Sequence, residues 1–178
     1  MNTTNNNSVT HLLWGVGGLI AGSYLARQSI NEAKKSRAEI DYPDETEDAY
    51  TEVTELLQEW IPAEECEDEY DFVEDLAFYL QGNSDLDVEI CPHTPEGQPD
   101  IVIEDLIALE LKLGLSKKER DRAIGQCAGY SRQWLTLLVV IGAPLTKTKR
   151  LIELLEDKDL QQIEVWTVEV DIEEELDD

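Results

Sequence analysis

Apolar residues recur along this chain with two periods, one typical of helices and one typical of strands. Spacings of three and four residues predict four helices, at about residues 49–60, 67–81, 117–133 and 146–160. Short runs rich in Val, Ile and Leu predict strands at 87–91, 134–141 and 163–170, and a β-hairpin over 99–113 with its turn at Glu104-Asp105. Strands and helices in this order predict an α/β fold, with a mixed central β-sheet flanked by helices.

The N-terminal region differs from the rest. Residues 12–26 (LLWGVGGLIAGSYLA) carry no charge and contain the spacing Gly18-x-x-x-Gly22, which allows close helix contact in a membrane. This N-terminal hydrophobic helix is either a short membrane anchor or a helix that docks on a partner or on the core. The basic residues that follow it would leave the remainder of the chain in the cytoplasm. The predicted segments are 1–38 with this helix, 39–66 with an acidic linker and an amphipathic helix, a domain at 67–170, and an acidic tail at 171–178.

The charge is strongly negative, with 14 Lys and Arg against 40 Asp and Glu and a net charge of −26. Such a balance argues against a nucleic-acid-binding protein, although an organism with high internal salt favours acidic protein surfaces. The charge is unevenly distributed, because the segment 112–150 holds nine basic and two acidic residues. A basic segment of this kind suits a phosphate backbone. Three cysteines show no spacing typical of a zinc site.

Outside its turn, the apolar hairpin is interrupted by three charged residues: Asp100, Glu110 and Lys112. Alternation along a strand places Glu110 and Lys112 on one face, with Asp100 near the same end of the sheet. Two nearby carboxylates favour a hard cation such as Mg²⁺, and a lysine beside it can orient an attacking water or offset charge on a phosphate. The alternative is a surface hairpin in which Glu and Lys form an ordinary ion pair.

These residues resemble a known signature. Pro99-Asp100, a nine-residue spacer and Glu110-Leu111-Lys112 resemble the PD-(D/E)xK motif of the restriction-endonuclease-like nucleases. Gln126 and Tyr130 resemble the Gln-x-x-x-Tyr helix motif of the RecB-like branch. The resemblance covers about residues 67–170 and implies a restriction-endonuclease-like core. It also implies that Asp100, Glu110 and the Leu111 carbonyl hold Mg²⁺ or Mn²⁺, while Lys112 positions the attacking water.

Residues on two of the predicted helices are further candidates for the functional site. Arg122, Gln126 and Tyr130 lie at i, i+4 and i+8 of one helix and so share a face. Arg suits phosphate, and the resemblance implies that Gln126 and Tyr130 support the lysine or DNA. In the resembled family a helix before the sheet often lends a glutamate to the metal site, and Glu74 is the matching position. Its alternative role is that of an ordinary solvated residue.

The function expected from the sequence is therefore a Mg²⁺-dependent nuclease that cuts DNA, bound through the basic segment 112–150. One alternative is a catalytically inactive module of the same fold that binds nucleic acid or a protein partner. Another is a membrane-tethered scaffold or an acidic mimic of DNA, in which residues 12–26 and the negative surface act. Homodimerisation is an expectation from the resembled family, and the sequence leaves DNA and RNA undistinguished.

Overall fold

The computed structural model describes residues 44–170, which form an α/β fold of four helices and a five-stranded mixed sheet. The helices are α1 (Asp44–Glu59), α2 (Glu69–Asn83), α3 (Lys117–Tyr130) and α4 (Leu145–Glu156). The strands are β1 (Val88–Ile90), β2 (Ile101–Ile103), β3 (Ile107–Leu113), β4 (Leu135–Ile141) and β5 (Glu164–Val168). Within this part of the chain, no helix is both long enough and apolar enough to cross a membrane.

The strands are arranged in the order β1-β2-β3-β4-β5, so each strand pairs with its neighbours in sequence. The pairs β1–β2 and β2–β3 are antiparallel, whereas β3–β4 and β4–β5 are parallel. Helix α3 connects β3 to β4 and helix α4 connects β4 to β5, as parallel neighbours require a crossover. The mixed sheet predicted from the order of elements is confirmed.

Helices cover both faces of the sheet. Helices α1 and α2 pack on one face against residues such as Leu109, Leu111 and Val139. Helices α3 and α4 pack on the other face against residues such as Leu138 and Val140. Strand β4 is buried along its whole length, as its continuous apolar run predicted. On β3 the residues of even number face α3, and there Glu110 and Lys112 break an otherwise apolar layer.

Element ends differ from the predictions by a few residues. Helix α3 ends at Tyr130 because a tight turn follows, in which the Gln133 amide donates to the Tyr130 carbonyl, three residues earlier. Its start is confirmed as a capping box, since Ser116 and Glu119 bind each other's backbone amides. Strand β5 lies at one edge of the described sheet, but Glu164 on it is fully buried, because the Tyr50 hydroxyl of α1 and the Trp166 indole donate to its carboxylate.

Three predictions lie partly or wholly outside the described residues: the hydrophobic helix at 12–26, the start of the acidic linker at 39–43 and the tail at 171–178. The amphipathic helix predicted at 49–60 is present as α1. Its apolar side chains belong to the same core as those of α2 and the sheet. The proposed boundary at residue 67 stays a prediction.

Candidate active site

The hairpin of β2 and β3 sets the position of the two central carboxylates. Ile101 pairs with Leu109, so Asp100, one residue earlier, lies opposite Glu110. Opposite positions on antiparallel strands bring Cβ atoms to about 4.5–5.5 Å. The register is fixed by a short loop in which Glu104 and Asp105 have positive φ values of 54° and 52°. The sequence prediction that Asp100, Glu110 and Lys112 come together is confirmed in the described structure.

Asp100 is held by the backbone on both sides. Its Oδ2 atom accepts a hydrogen bond of 2.7 Å from the Leu111 amide, and its own carbonyl accepts one of 2.8 Å from the Cys91 amide. Burial raises the pKa of Asp100, while the Leu111 hydrogen bond and the charge of Lys112 oppose that rise. Its carboxylate is therefore fixed in direction, with the Oδ1 atom left to bind something else.

Glu110 is the most unusual group of the site. Its side chain is fully buried, and Oε1 lies 2.9 Å from the Lys112 ammonium. Within the described residues, neither carboxylate oxygen accepts a hydrogen bond of good geometry. Burial and the neighbouring charge of Asp100 raise the pKa of Glu110 to about 7. Buried carboxylates normally have partners or a metal, and the ion pair with Lys112 compensates the buried charge of Glu110 only in part.

The Lys112 ammonium is surrounded by oxygen atoms. Nζ lies 2.5 Å from the Leu111 carbonyl oxygen, 2.8 Å from Glu69 Oε1 and 2.9 Å from Glu110 Oε1. Burial lowers the pKa of Lys112, but Glu110, Glu69 and Asp100 together outweigh that effect and raise it. Lys112 therefore remains a cation although only 3% of its side chain is exposed.

Glu69 is a site residue that the sequence analysis missed. It is the first residue of α2, next to the N-cap Asp68, whose capping box with Asp71 fixes the start of the helix. Its Oε1 atom binds the Lys112 ammonium, and its Oε2 atom accepts a 3.3 Å hydrogen bond from the Leu113 amide. The sequence does carry a signal for it, because Glu69 directly follows the capping residue Asp68. This position predicts a glutamate at the N-terminal end of the helix.

Glu74 lies more than one helical turn beyond Glu69. In the described residues, no hydrogen bond or ion pair joins it to Asp100, Glu110 or Lys112. Instead, hydrogen bonding to Glu74 raises the pKa of the exposed Tyr70 hydroxyl. The structure thus places Glu69, rather than Glu74, in contact with the lysine, and a role of Glu74 at the metal stays a prediction.

Tyr130 and Gln126 contact the loop that leads into Asp100. The Tyr130 hydroxyl donates a 2.9 Å hydrogen bond to the Gln98 carbonyl and accepts one of 3.4 Å from the Gln126 amide. Burial and the charge of Glu110 raise the pKa of Tyr130 to about 12. With 2% exposure, the Tyr130 ring has no surface on which a base could stack. The structure therefore places this pair beneath the loop at residues 92–98.

Two basic residues, Arg122 and Lys147, lie near this end of the sheet. The exposed Arg122 is close enough to Asp100 to lower the pKa of that carboxyl. Hydrogen bonds from Ser116 lower the pKa of Glu119, and Lys112 and Lys147 add to that effect. Glu119 and Lys147 lie in the first turns of α3 and α4, which follow the C-terminal ends of β3 and β4. Helix N-termini carry partial positive charge, so this edge of the sheet is suited to anions.

The donor set suits a hard divalent cation in part. Both carboxylate oxygens of Glu110 lack a good hydrogen-bond donor among the described residues, while Asp100 has Oδ1 besides the Oδ2 atom that accepts from the Leu111 amide. The Leu111 carbonyl lies on the same ammonium as Glu110. Within residues 44–170, however, no cluster of three or more His, Cys, Asp or Glu side chains is arranged to hold a metal. Two carboxylates, one carbonyl and water molecules would then have to complete the coordination, as is usual for Mg²⁺. No protein-family model, curated protein or solved structure matches this chain.

Proposed function

We propose that this chain is a Mg²⁺- or Mn²⁺-dependent nuclease that hydrolyses phosphodiester bonds in DNA, with a restriction-endonuclease-like core. One observation carries the proposal. Asp100 and Glu110 lie opposite each other at a buried end of the sheet, and the Lys112 ammonium lies 2.9 Å from Glu110. The same three residues form the PD-(D/E)xK pattern in the sequence.

A purely structural role explains this arrangement poorly. A buried ion pair stabilises a fold only when its geometry is excellent and further hydrogen bonds satisfy the charges. Here the fully buried Glu110 pairs with Lys112 but accepts no good hydrogen bond from the described residues, and a second carboxylate lies opposite it. Apolar residues of similar volume would serve the core better at this position. Perturbed carboxylates in such a place are typical of functional sites.

Each residue has a distinct task in the proposed reaction. Asp100, Glu110 and the Leu111 carbonyl would hold the cation, with Asp100 kept in direction by the Leu111 amide. When bound, a divalent cation supplies charge neutralisation at the phosphate and makes a coordinated water more acidic. Lys112 would donate a hydrogen bond to the attacking water and thereby orient it toward phosphorus.

The substrate would approach along the basic edge of the sheet. Arg122 is exposed beside Asp100, and Lys117, Lys118 and Lys147 are exposed in the first turns of α3 and α4. These charges can neutralise phosphates on either side of the bond that is cut, which makes binding dependent on salt. The acidic remainder of the surface would repel DNA, so the proposal confines the contact to this edge.

The test is cleavage of plasmid and linear DNA by the full chain, with Mg²⁺, with Mn²⁺ and with EDTA, from low to molar salt. Cleavage should require the metal and fall by at least about a thousandfold in Asp100→Asn and Lys112→Met, since both groups act at the reacting atoms. Asp87→Asn and Lys158→Met remove the same charges at exposed positions and should retain activity. Folded wild-type protein that cuts under none of these conditions would refute the nuclease proposal.

The alternative of an inactive module predicts a different result from the same samples. Such a module would bind DNA, RNA or a protein partner through residues 112–150, without cleavage and without a need for Mg²⁺. Cytoplasmic location, tethering through residues 12–26 and homodimerisation remain separate predictions. Fractionation of cells and light scattering of the purified chain would test them.

A further inference from the structure

Two of the three oxygen atoms around the Lys112 ammonium belong to the proposed metal ligands. The Leu111 carbonyl lies 2.5 Å from Nζ and Glu110 Oε1 lies 2.9 Å from it. A divalent cation held by these oxygens would lie close to the ammonium, and like charges repel strongly where water is scarce. Binding of the metal should therefore weaken the contacts of Nζ with the Leu111 carbonyl and with Glu110 Oε1.

The third oxygen atom, Glu69 Oε1, does not belong to a proposed metal ligand. Glu69 belongs to α2 rather than to the hairpin, and its side chain is 40% exposed, so its charge carries a smaller desolvation penalty than that of Glu110. Its Oε2 atom is tied to the Leu113 amide at 3.3 Å, independently of the lysine. Glu69 can thus hold the ammonium at 2.8 Å after the other two oxygens have turned to a metal.

From this geometry we infer that Lys112 is the resting counter-ion of the metal site and that Glu69 is the positioning residue that retains the ammonium when a divalent cation displaces it. The inference rests on the proposed function, since it assumes that Glu110 and the Leu111 carbonyl bind metal. Glu69 already contacts the ammonium at 2.8 Å and is not one of the proposed metal ligands, so it can keep the displaced ammonium in place. With Glu69, the lysine stays beside the cation, where the proposed reaction needs it.

The inference is tested by measuring the binding of Mn²⁺ to the full chain. The measurement is isothermal titration calorimetry at pH 8 without DNA. Lys112→Met removes the competing cation, so the Mn²⁺ dissociation constant should fall about tenfold or more. Glu69→Gln leaves the ammonium on the metal ligands, so the constant should rise about fivefold or more. Glu67→Gln and Lys158→Met remove the same charges at exposed positions and should change it less than about twofold.

A double-mutant cycle separates positioning from a direct effect of Glu69 on the metal. If Glu69 acts through Lys112, Glu69→Gln should lose its effect in the Lys112→Met background. If Glu69 binds or attracts the metal itself, its effect will persist in that background, and the inference is overturned. Thermal melting of each variant verifies folding, and Lys112→Gln takes the place of Lys112→Met in the cycle should the methionine variant fail to fold.

Failure of the inference differs from failure of the proposed function. Suppose that the wild-type protein binds Mn²⁺ and that Lys112→Met binds it equally or more weakly. This result overturns the inference that Lys112 is the resting counter-ion, and it leaves the nuclease proposal intact. Absence of Mn²⁺ binding in wild type, Glu69→Gln and Lys112→Met alike overturns both.

Discussion

Replacing Glu110 with Gln should stabilise the metal-free protein while abolishing its metal binding. In the structure the Glu110 carboxylate is fully buried, faces Asp100 across the hairpin and accepts no good hydrogen bond from described residues. A neutral amide of nearly the same shape removes the charge from this place. Lys112 then keeps its ion pair with Glu69, so the substitution does not leave the lysine without a partner.

The size and pH dependence of the effect follow from the raised pKa. Burial and Asp100 raise the pKa of Glu110 from its usual 4.5 to about 7. The native carboxyl thus holds its proton more tightly than the unfolded one, so the wild type loses stability as pH rises from 4.5 to 7. The difference of about 2.5 pH units corresponds to about 3 kcal/mol. Glu110→Gln does not lose stability in this way. Its free energy of unfolding relative to wild type should therefore increase by about 2–3 kcal/mol between pH 5 and pH 8.

Urea unfolding in EDTA at several pH values measures this difference. Glu89→Gln, at an exposed strand position, is the matched control and should stay within about 0.5 kcal/mol of wild type at every pH. Mg²⁺ should then stabilise wild type, because it binds only the native state, and should leave Glu110→Gln unchanged. A constant gap between Glu110→Gln and wild type from pH 5 to pH 8 would refute the reasoning.

Three further substitutions test how the site is held, each by urea unfolding. Tyr130→Phe removes the hydrogen bond to the Gln98 carbonyl and should lower the free energy of unfolding by about 1 kcal/mol; no change would show that the loop does not depend on this bond. Gly97→Ala should lower the free energy of unfolding by about 1–3 kcal/mol, because Gly97 has a φ of 135° and a Cβ there would lie 3.0 Å from the Tyr130 ring. Gly82→Ala is the control: the space around Gly82 is open, so this substitution should be neutral or stabilising. Asp68→Ala removes the capping box of α2 and should cost about 1 kcal/mol; no loss would show that the cap does not stabilise the helix.

Local pattern was enough to predict the α/β class, the hairpin and the mixed sheet. The apolar run at residues 134–141 predicted a buried strand because only a strand covered on both faces tolerates such a sequence. The motif Ser116-x-x-Glu119 predicted the start of α3 because its hydrogen bonds join residues three positions apart. Asp100, Glu110 and Lys112 were also accessible to sequence reasoning, since strand alternation and one short loop decide their relation.

Contacts between distant segments were decided by the tertiary structure alone. Glu69 and Glu74 lie on the same helix in an equally acidic stretch, and only the packing of α2 on the sheet brings Glu69 to Lys112, 43 residues further along the chain. The buried position of Tyr130 depends likewise on the Gln98 loop, 32 residues away. The sequence by itself therefore determined the elements and the charged hairpin, because these depend on neighbours along the chain. The carboxylate that holds the lysine was determined by packing, because periodicity carries no information about which ends of two elements meet.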